Sequence, residues 1–159
     1  RVVILEDTRE LQCAATDCVE LLTKNTQPRV TMTDLLKMTL RLRPDRIIVG
    51  EVRDGAALAM LKAWNTGHPG GVATLHANSP LDALRRMEEL IGEVSQVIPR
   101  RSIAAAIGLI VFIERIRQPP GRRVTALARV EGLEGDSYRL ANAGEASEAA
   151  GLSVNGRER

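Results

Sequence analysis

The run Ile47-Ile48-Val49, closed off by Pro44 before it and Gly50 after it, constrains the fold more than any other stretch of this chain. Pro44 has no backbone donor and its ring clashes with the preceding turn, so a helix reaching it must stop. Consecutive β-branched residues between two such punctuation marks predict a short strand covered on both faces, as in the middle of a parallel sheet. Two similar runs occur. Val2–Leu5 ends in Glu6 and Asp7 with Glu10 close behind, and Val72–Leu75 lies between Gly67-His68-Pro69-Gly70-Gly71 and His76-Ala77-Asn78-Ser79-Pro80. The run at 47–49 itself ends in Glu51, Arg53 and Asp54. Ligands of open α/β sheets bind outside the carboxyl ends of the strands. Three strand ends carrying titratable groups therefore predict one shared crevice, with Glu6, Glu51 and His76 in it. Structural roles stand beside this reading: Glu51 as the cap of the next helix, the acids as a solvated loop, His76 as a satisfied loop group.

The remaining pattern supplies the helices. Thr33 is a candidate N-cap for a helix carrying Leu35, Leu36, Met38 and Leu40, and Pro44 ends it. A second helix is predicted over Ala56–Trp64, stopped by Asn65 and Gly67, with Trp64 in the core. Ser79, Pro80 and Asp82 open a third, whose stripe is Leu81, Leu84, Met87, Glu88, Leu90 and Ile91. Pro99–Ala106 reads as a further helix and Leu109–Ile113 as another buried strand. Arg122–Glu131 alternates as a strand should, and Tyr138–Leu140 is its expected partner across the turn at 132–136. Residues 8–30 read as mixed polar chain with a loop at Asn25-Thr26-Gln27-Pro28. From Ala141 onward Gly, Ala, Ser and Glu dominate, so one domain is expected over 1–140 and a disordered tail over 141–159.

Composition narrows the partners. Aromatic residues make up 2% of the chain, so the core must be built from aliphatic side chains and Met. A net charge of +2, with the basic residues scattered among nearly as many acids, is not the concentrated basic face of a nucleic-acid binder. Lysine occurs only at positions 24, 37 and 62, so the cations are nearly all Arg, which suits bidentate contact with phosphate or carboxylate. Cys13 and Cys18 have no third ligand nearby and are expected to be small buried hydrophobes. The longest apolar stretch, Ile103–Ile113, falls short of the roughly 18 residues that span a bilayer, so any membrane association is expected through a partner.

Three ordered motifs add a resemblance. Ile4-Leu5-Glu6-Asp7-Thr8-Arg9-Glu10-Leu11 resembles the aspartate box of the hexameric secretion ATPases, and Leu40 through Arg53 resembles their Walker B segment. Gly67-His68 through Thr74-Leu75-His76-Ala77-Asn78 resembles their histidine box, and the wording of Lys62–Gly71 is most similar to the TrbB-type conjugative-transfer branch. The resemblance covers residues 1–140 and implies a partial RecA-like P-loop NTPase core of the α/β class. Its first strand, phosphate loop and helix would lie outside this chain, which contains no Gly-x-x-x-x-Gly-Lys-Ser/Thr. It further implies ATP and Mg²⁺ as cofactors, with Glu51 as the Walker B acid on the metal and Glu6 activating the attacking water, supported by Asp7. His76 would sense the γ-phosphate. Arg9, Arg41, Arg43, Gly50 and Arg53 would belong to the nucleotide site, in cis or in trans. The implied assembly is a homo-hexamer that powers conjugative DNA transfer or type IV secretion at the cytoplasmic face of the inner membrane. A non-catalytic, truncated subunit acting as an interaction module is the alternative, and the chain alone is expected to be inactive.

Overall fold

The computed structural model describes residues 1–144. Its elements are β1 (Val2–Glu6), β2 (Cys18–Leu22), α1 (Met32–Thr39), a 3₁₀ turn (Leu40–Leu42), β3 (Arg46–Val49), α2 (Ala56–Asn65), β4 (Val72–Ala73), α3 (Pro80–Gly92), α4 (Arg100–Ala106), β5 (Leu109–Arg115), β6 (Arg122–Glu134) and β7 (Ser137–Asn142). The first four strands form a parallel sheet in the order β2-β1-β3-β4, and the last three an antiparallel sheet in the order β5-β6-β7. The expected α/β class with a parallel sheet is what the chain adopts.

Alternation explains where the core sits. Val3, Leu5, Ile47 and Val49 share one face of the parallel sheet and are almost wholly buried against Leu35 and Leu36 of α1 and Met60 and Leu61 of α2. The stripe of α3 continues the same cluster through Leu84, Met87, Leu90 and Ile91, joined by Ile103 of α4. Each fully buried aliphatic side chain stabilises the fold by about 1.5–3 kcal/mol.

Several expectations shift. The cap of α1 is Thr31, not Thr33: its side chain accepts from the Asp34 amide while the Asp34 carboxylate accepts from the Thr31 amide, a reciprocal capping box. Within the polar stretch 8–30, Cys-Val-Glu-Leu-Leu forms the edge strand β2. Leu109–Ile113 is a strand but not a buried one, since Leu109, Val111 and Ile113 are each about half exposed along the free edge of the antiparallel sheet. Cys13 and Cys18 are half-buried rather than buried, and they share a hydrogen bond that pushes the Cys18 thiol up to about 11. Trp64 packs beside the core rather than inside it. Ala141 and Asn142, expected in a disordered tail, pair with Arg129 and Ala128 as the end of β7. The rest of that expectation, from 145 onward, lies outside the described residues.

One ion-pair cluster ties the two helical and sheet layers together. Arg100 on α4 donates to Glu88 on α3 at 2.9 Å and reaches Asp136 in the β6–β7 turn at 3.4 Å. Burial opposes ionisation of Glu88, but the hydrogen bonds and the nearby guanidinium outweigh it, and the carboxyl is held below its ordinary range. A depressed folded-state pKa contributes stability that is present above the unfolded value and lost as pH falls through the folded one. Glu88→Gln should therefore lower stability near neutrality and flatten its decline on acidification. Urea unfolding at neutral and acidic pH checks this, and an unchanged acid slope would remove Glu88 from the account.

Candidate functional site

The site grows from the end of β3. Parallel pairing of β1, β3 and β4 brings their carboxyl ends to one edge, where Glu6, Gly50-Glu51 and Thr74–His76 follow one another. Gly50 permits the approach: a Cβ there would lie 2.9 Å from Glu6 Cγ, inside contact distance. The Gly50 amide donates to Leu5 O at 2.8 Å, which fixes the segment to β1. On the other side Val52 N donates to Thr74 O at 3.0 Å, and the Thr74 hydroxyl donates to Gly50 O.

Glu51 stands between these ties. One of its carboxylate oxygens lies 3.1 Å from Nε2 of His76 and the other is paired with the Arg53 guanidinium. That guanidinium, by hydrogen bond and by charge, holds the Glu51 carboxyl below its ordinary range despite partial burial, and Arg53 is itself stabilised as a cation by Glu51, Asp7 and Glu10. Arg53→Met should therefore let the Glu51 carboxyl titrate at higher pH, as followed by the ¹³C shift of its side-chain carbonyl. An unmoved titration would show that Arg53 does not set the charge of Glu51.

The acids of the β1 end divide between two tasks. Glu6 is almost fully buried, and its Oε1 accepts from the amides of Glu10 and Leu11, each at 3.0 Å, so it anchors the loop that follows β1. No protein group among the described residues donates to its other oxygen. Asp7 is exposed, accepts from the Thr23 hydroxyl at 2.7 Å, and faces a cleft shared with Glu51, Arg53, Asp54, Arg29 and Asn25. The cleft is about 90 Å³, against roughly 300–1,000 Å³ for a ligand pocket, so it admits water and side chains but not a whole nucleotide. A larger groove between the start of α3 and β6–β7 is lined by no titratable residue.

The arginines separate. Arg53 belongs to the cluster, whereas Arg9 pairs with Glu20 of β2 at 3.1 Å and holds the β1–β2 loop to the sheet edge. Arg41 and Arg43 precede β3 and sit near the amino edge, where Arg1 donates to Leu42 O at 2.9 Å and accepts from Asp45 and Arg46. Residues before and after one strand of a parallel sheet lie on opposite edges, so within a single chain neither joins Glu51. His68 contacts Ala63 O at 3.2 Å, a helix-end contact outside the site. Two side chains not singled out from the sequence, Thr23 and Thr74, position the acids. A hydroxyl leaves no periodicity to read, and both contacts arise only once strands far apart in sequence are paired.

Glu51 is compensated by Arg53 and His76, and Glu6 by backbone amides. Among the described residues no group of three or more His, Cys, Asp or Glu could hold a metal. The donor set still fits Mg²⁺ of the nucleotide-bound kind, which keeps several waters and takes one or two carboxylates, the remaining ligands coming from phosphate. The carboxylates lining the cleft are Asp7, Glu51 and Asp54.

The chain is similar to known proteins. The conjugal transfer protein TrbB of Rhizobium radiobacter is 58% identical over 139 residues, covering 87% of this chain and 42% of that protein. VirB11 of Agrobacterium fabrum is 39% identical over 99 residues, covering 60% of this chain and 29% of that one. Among solved structures, the VirB11 ATPase of the Brucella suis type IV secretion system superposes with a TM-score of 0.71 at 25% identity, over 81% of this chain and 40% of that chain. The Legionella pneumophila ATPase DotB gives 0.62 at 25% identity, over 79% and 35%. The chain thus spans less than half the length of these relatives. Among the described residues no helix is long and apolar enough to cross a membrane. With the family model for type II/IV secretion system proteins matching residues 1–157, the chain belongs to that family.

Proposed function

We propose that this chain is the acid and sensor half of the nucleotide site of a ring-forming secretion ATPase of the conjugative-transfer type. ATP with Mg²⁺ is the cofactor pair, a homo-hexamer the assembly, and conjugative DNA transfer or type IV secretion at the cytoplasmic face of the inner membrane the process driven. The observation that carries the reading is the Glu51–His76–Arg53 cluster at the carboxyl ends of β3 and β4, in a chain of this family.

Each residue has a task that follows from its surroundings. Glu51, kept ionised by Arg53, would hold Mg²⁺, which when bound would neutralise charge that builds up on the phosphates. Glu6 orients the attacking water through its uncommitted oxygen, with Asp7 facing the same edge. His76, whose side chain is 95% exposed, is free to exchange Glu51 for a phosphate oxygen. Arg41 and Arg43, on the opposite edge, are placed for contact with a neighbouring subunit rather than with their own chain's Glu51.

The alternative is a non-catalytic interaction module. Labelled-ATP titration separates the readings. The full-length protein should bind and hydrolyse Mg·ATP, whereas the 159-residue chain should show no tight binding. Absence of hydrolysis by an assembled full-length ring would leave the interaction module as the function.

A further inference from the structure

We infer that Thr74 is a positioning residue that sets the Glu51–His76 pair, by clamping the segment that carries Glu51 to the strand end that carries His76. The role deepens the function proposed above and rests on it for its catalytic consequence. The clamp itself does not depend on nucleotide.

Regular pairing of β3 with β4 ends at Val49 and Ala73. In a parallel ladder the next carbonyl and amide of β3 would both bond to the backbone of β4. Val52 N does reach Thr74 O, at 3.0 Å, but Gly50 O takes the Thr74 hydroxyl instead of a backbone amide. Half of this last rung is therefore a side chain. Glu51 lies between the two tied residues, and His76 lies two residues beyond Thr74, so one threonine closes a ring that ends in the 3.1 Å contact of Glu51 with His76. From the β4 side the segment is otherwise held by the Val52 N–Thr74 O bond and by Leu75, half-buried against the core, but the Thr74 hydroxyl is the side-chain tie, since Thr74 and His76 are themselves exposed. Threonine suits the task because branching at Cβ stiffens χ1 and keeps the hydroxyl aimed. Valine has the same shape without the donor.

The test has two arms. In the 159-residue chain, Glu51→Gln should move the His76 ring resonances, because the two side chains touch. In a Thr74→Val background that response should shrink to a small fraction, and Thr74→Ser should restore most of it. A His76 response to Glu51→Gln that is unchanged by Thr74→Val overturns the inference. In the full-length protein, Thr74→Val should lower kcat about tenfold with KM within about twofold, the pattern of an interaction made in the transition state rather than in substrate binding. Recovery of kcat by Thr74→Ser supports positioning by the hydroxyl. A loss shared equally by Val and Ser, or one confined to KM, refutes it. Should the wild-type protein hydrolyse nothing, the proposed ATPase fails while the resonance arm still decides the clamp.

Discussion

Glu51→Gln in the full-length protein is expected to lower ATP turnover by roughly a hundredfold or more, while nucleotide affinity changes only a few-fold. The size follows from the number of groups that the carboxylate aligns at once. Misplacing reacting groups by about an ångström costs about 10²-fold in rate, and Glu51 holds both His76 and Arg53. Glutamine keeps the shape and one acceptor oxygen but carries no charge, so the ion pair with Arg53 is lost, and its amide N–H₂ faces His76 where a carboxylate oxygen stood. Binding should survive because triphosphate affinity in phosphate-loop proteins comes chiefly from the loop itself, which no residue of this cluster replaces. Steady-state turnover, with nucleotide binding measured separately, checks both halves. Unchanged turnover would remove Glu51 from the mechanism. Loss of binding together with turnover would make it a binding group instead.

How far the sequence reveals this site depends on which interactions are local. The three strand ends were readable because an apolar run and the acid or histidine that closes it are contiguous, and parallel pairing then aligns such ends without further information. The helices were readable from their stripes, and Ser79 and Pro80 from their positions at the start of α3. The cap of α1 was also there to be read, since Thr31 and Asp34 hold the three-residue spacing of a capping box, but Thr33 lies nearer the apolar stripe. What escaped was non-local. β2 is an edge strand inside a polar stretch, and its sequence Cys-Val-Glu-Leu-Leu is neither a continuous apolar run nor a clean polar–apolar alternation, so it does not stand out from its surroundings. The exposure of Leu109, Val111 and Ile113 was invisible because a short apolar run looks alike whether it is covered or stands at an edge. The division of labour between Glu6 and Asp7 depends on which amides come within reach once the loop closes, and adjacent acids in sequence give no hint of it.

Gly71→Ala is expected to destabilise the chain by about 3 kcal/mol, more than any substitution within the acid cluster itself. An added Cβ would lie 2.1 Å from Trp64 Nε1 and 2.3 Å from its Cε2, and 2.7 Å from the carbonyl oxygen of Ile47. The indole could swing aside, at the cost of its 3.3 Å hydrogen bond to that same carbonyl. The carbonyl cannot, since Ile47 is fully buried in a strand paired with β1. Overpacking of this kind costs about 1–3 kcal/mol, and loss of the indole hydrogen bond about 0.5–1.5 more. Trp64 is the chain's only tryptophan, so its emission should shift to longer wavelength in the folded variant, and urea unfolding reads the stability directly. Gly108→Ala is the control, because a Cβ there meets nothing within 4 Å, and surface changes of that sort stay within about 0.5 kcal/mol. The double variant Trp64→Leu with Gly71→Ala, followed by circular dichroism, separates the two contacts. Removing the indole should return part of the loss but not all, because the backbone oxygen at 2.7 Å remains. Full recovery would mean that the indole alone required glycine. No destabilisation by Gly71→Ala would mean that β4 does not approach β3 as closely as its pairing with Ile48 and Val49 requires, and with it would go the placement of His76 beside Glu51.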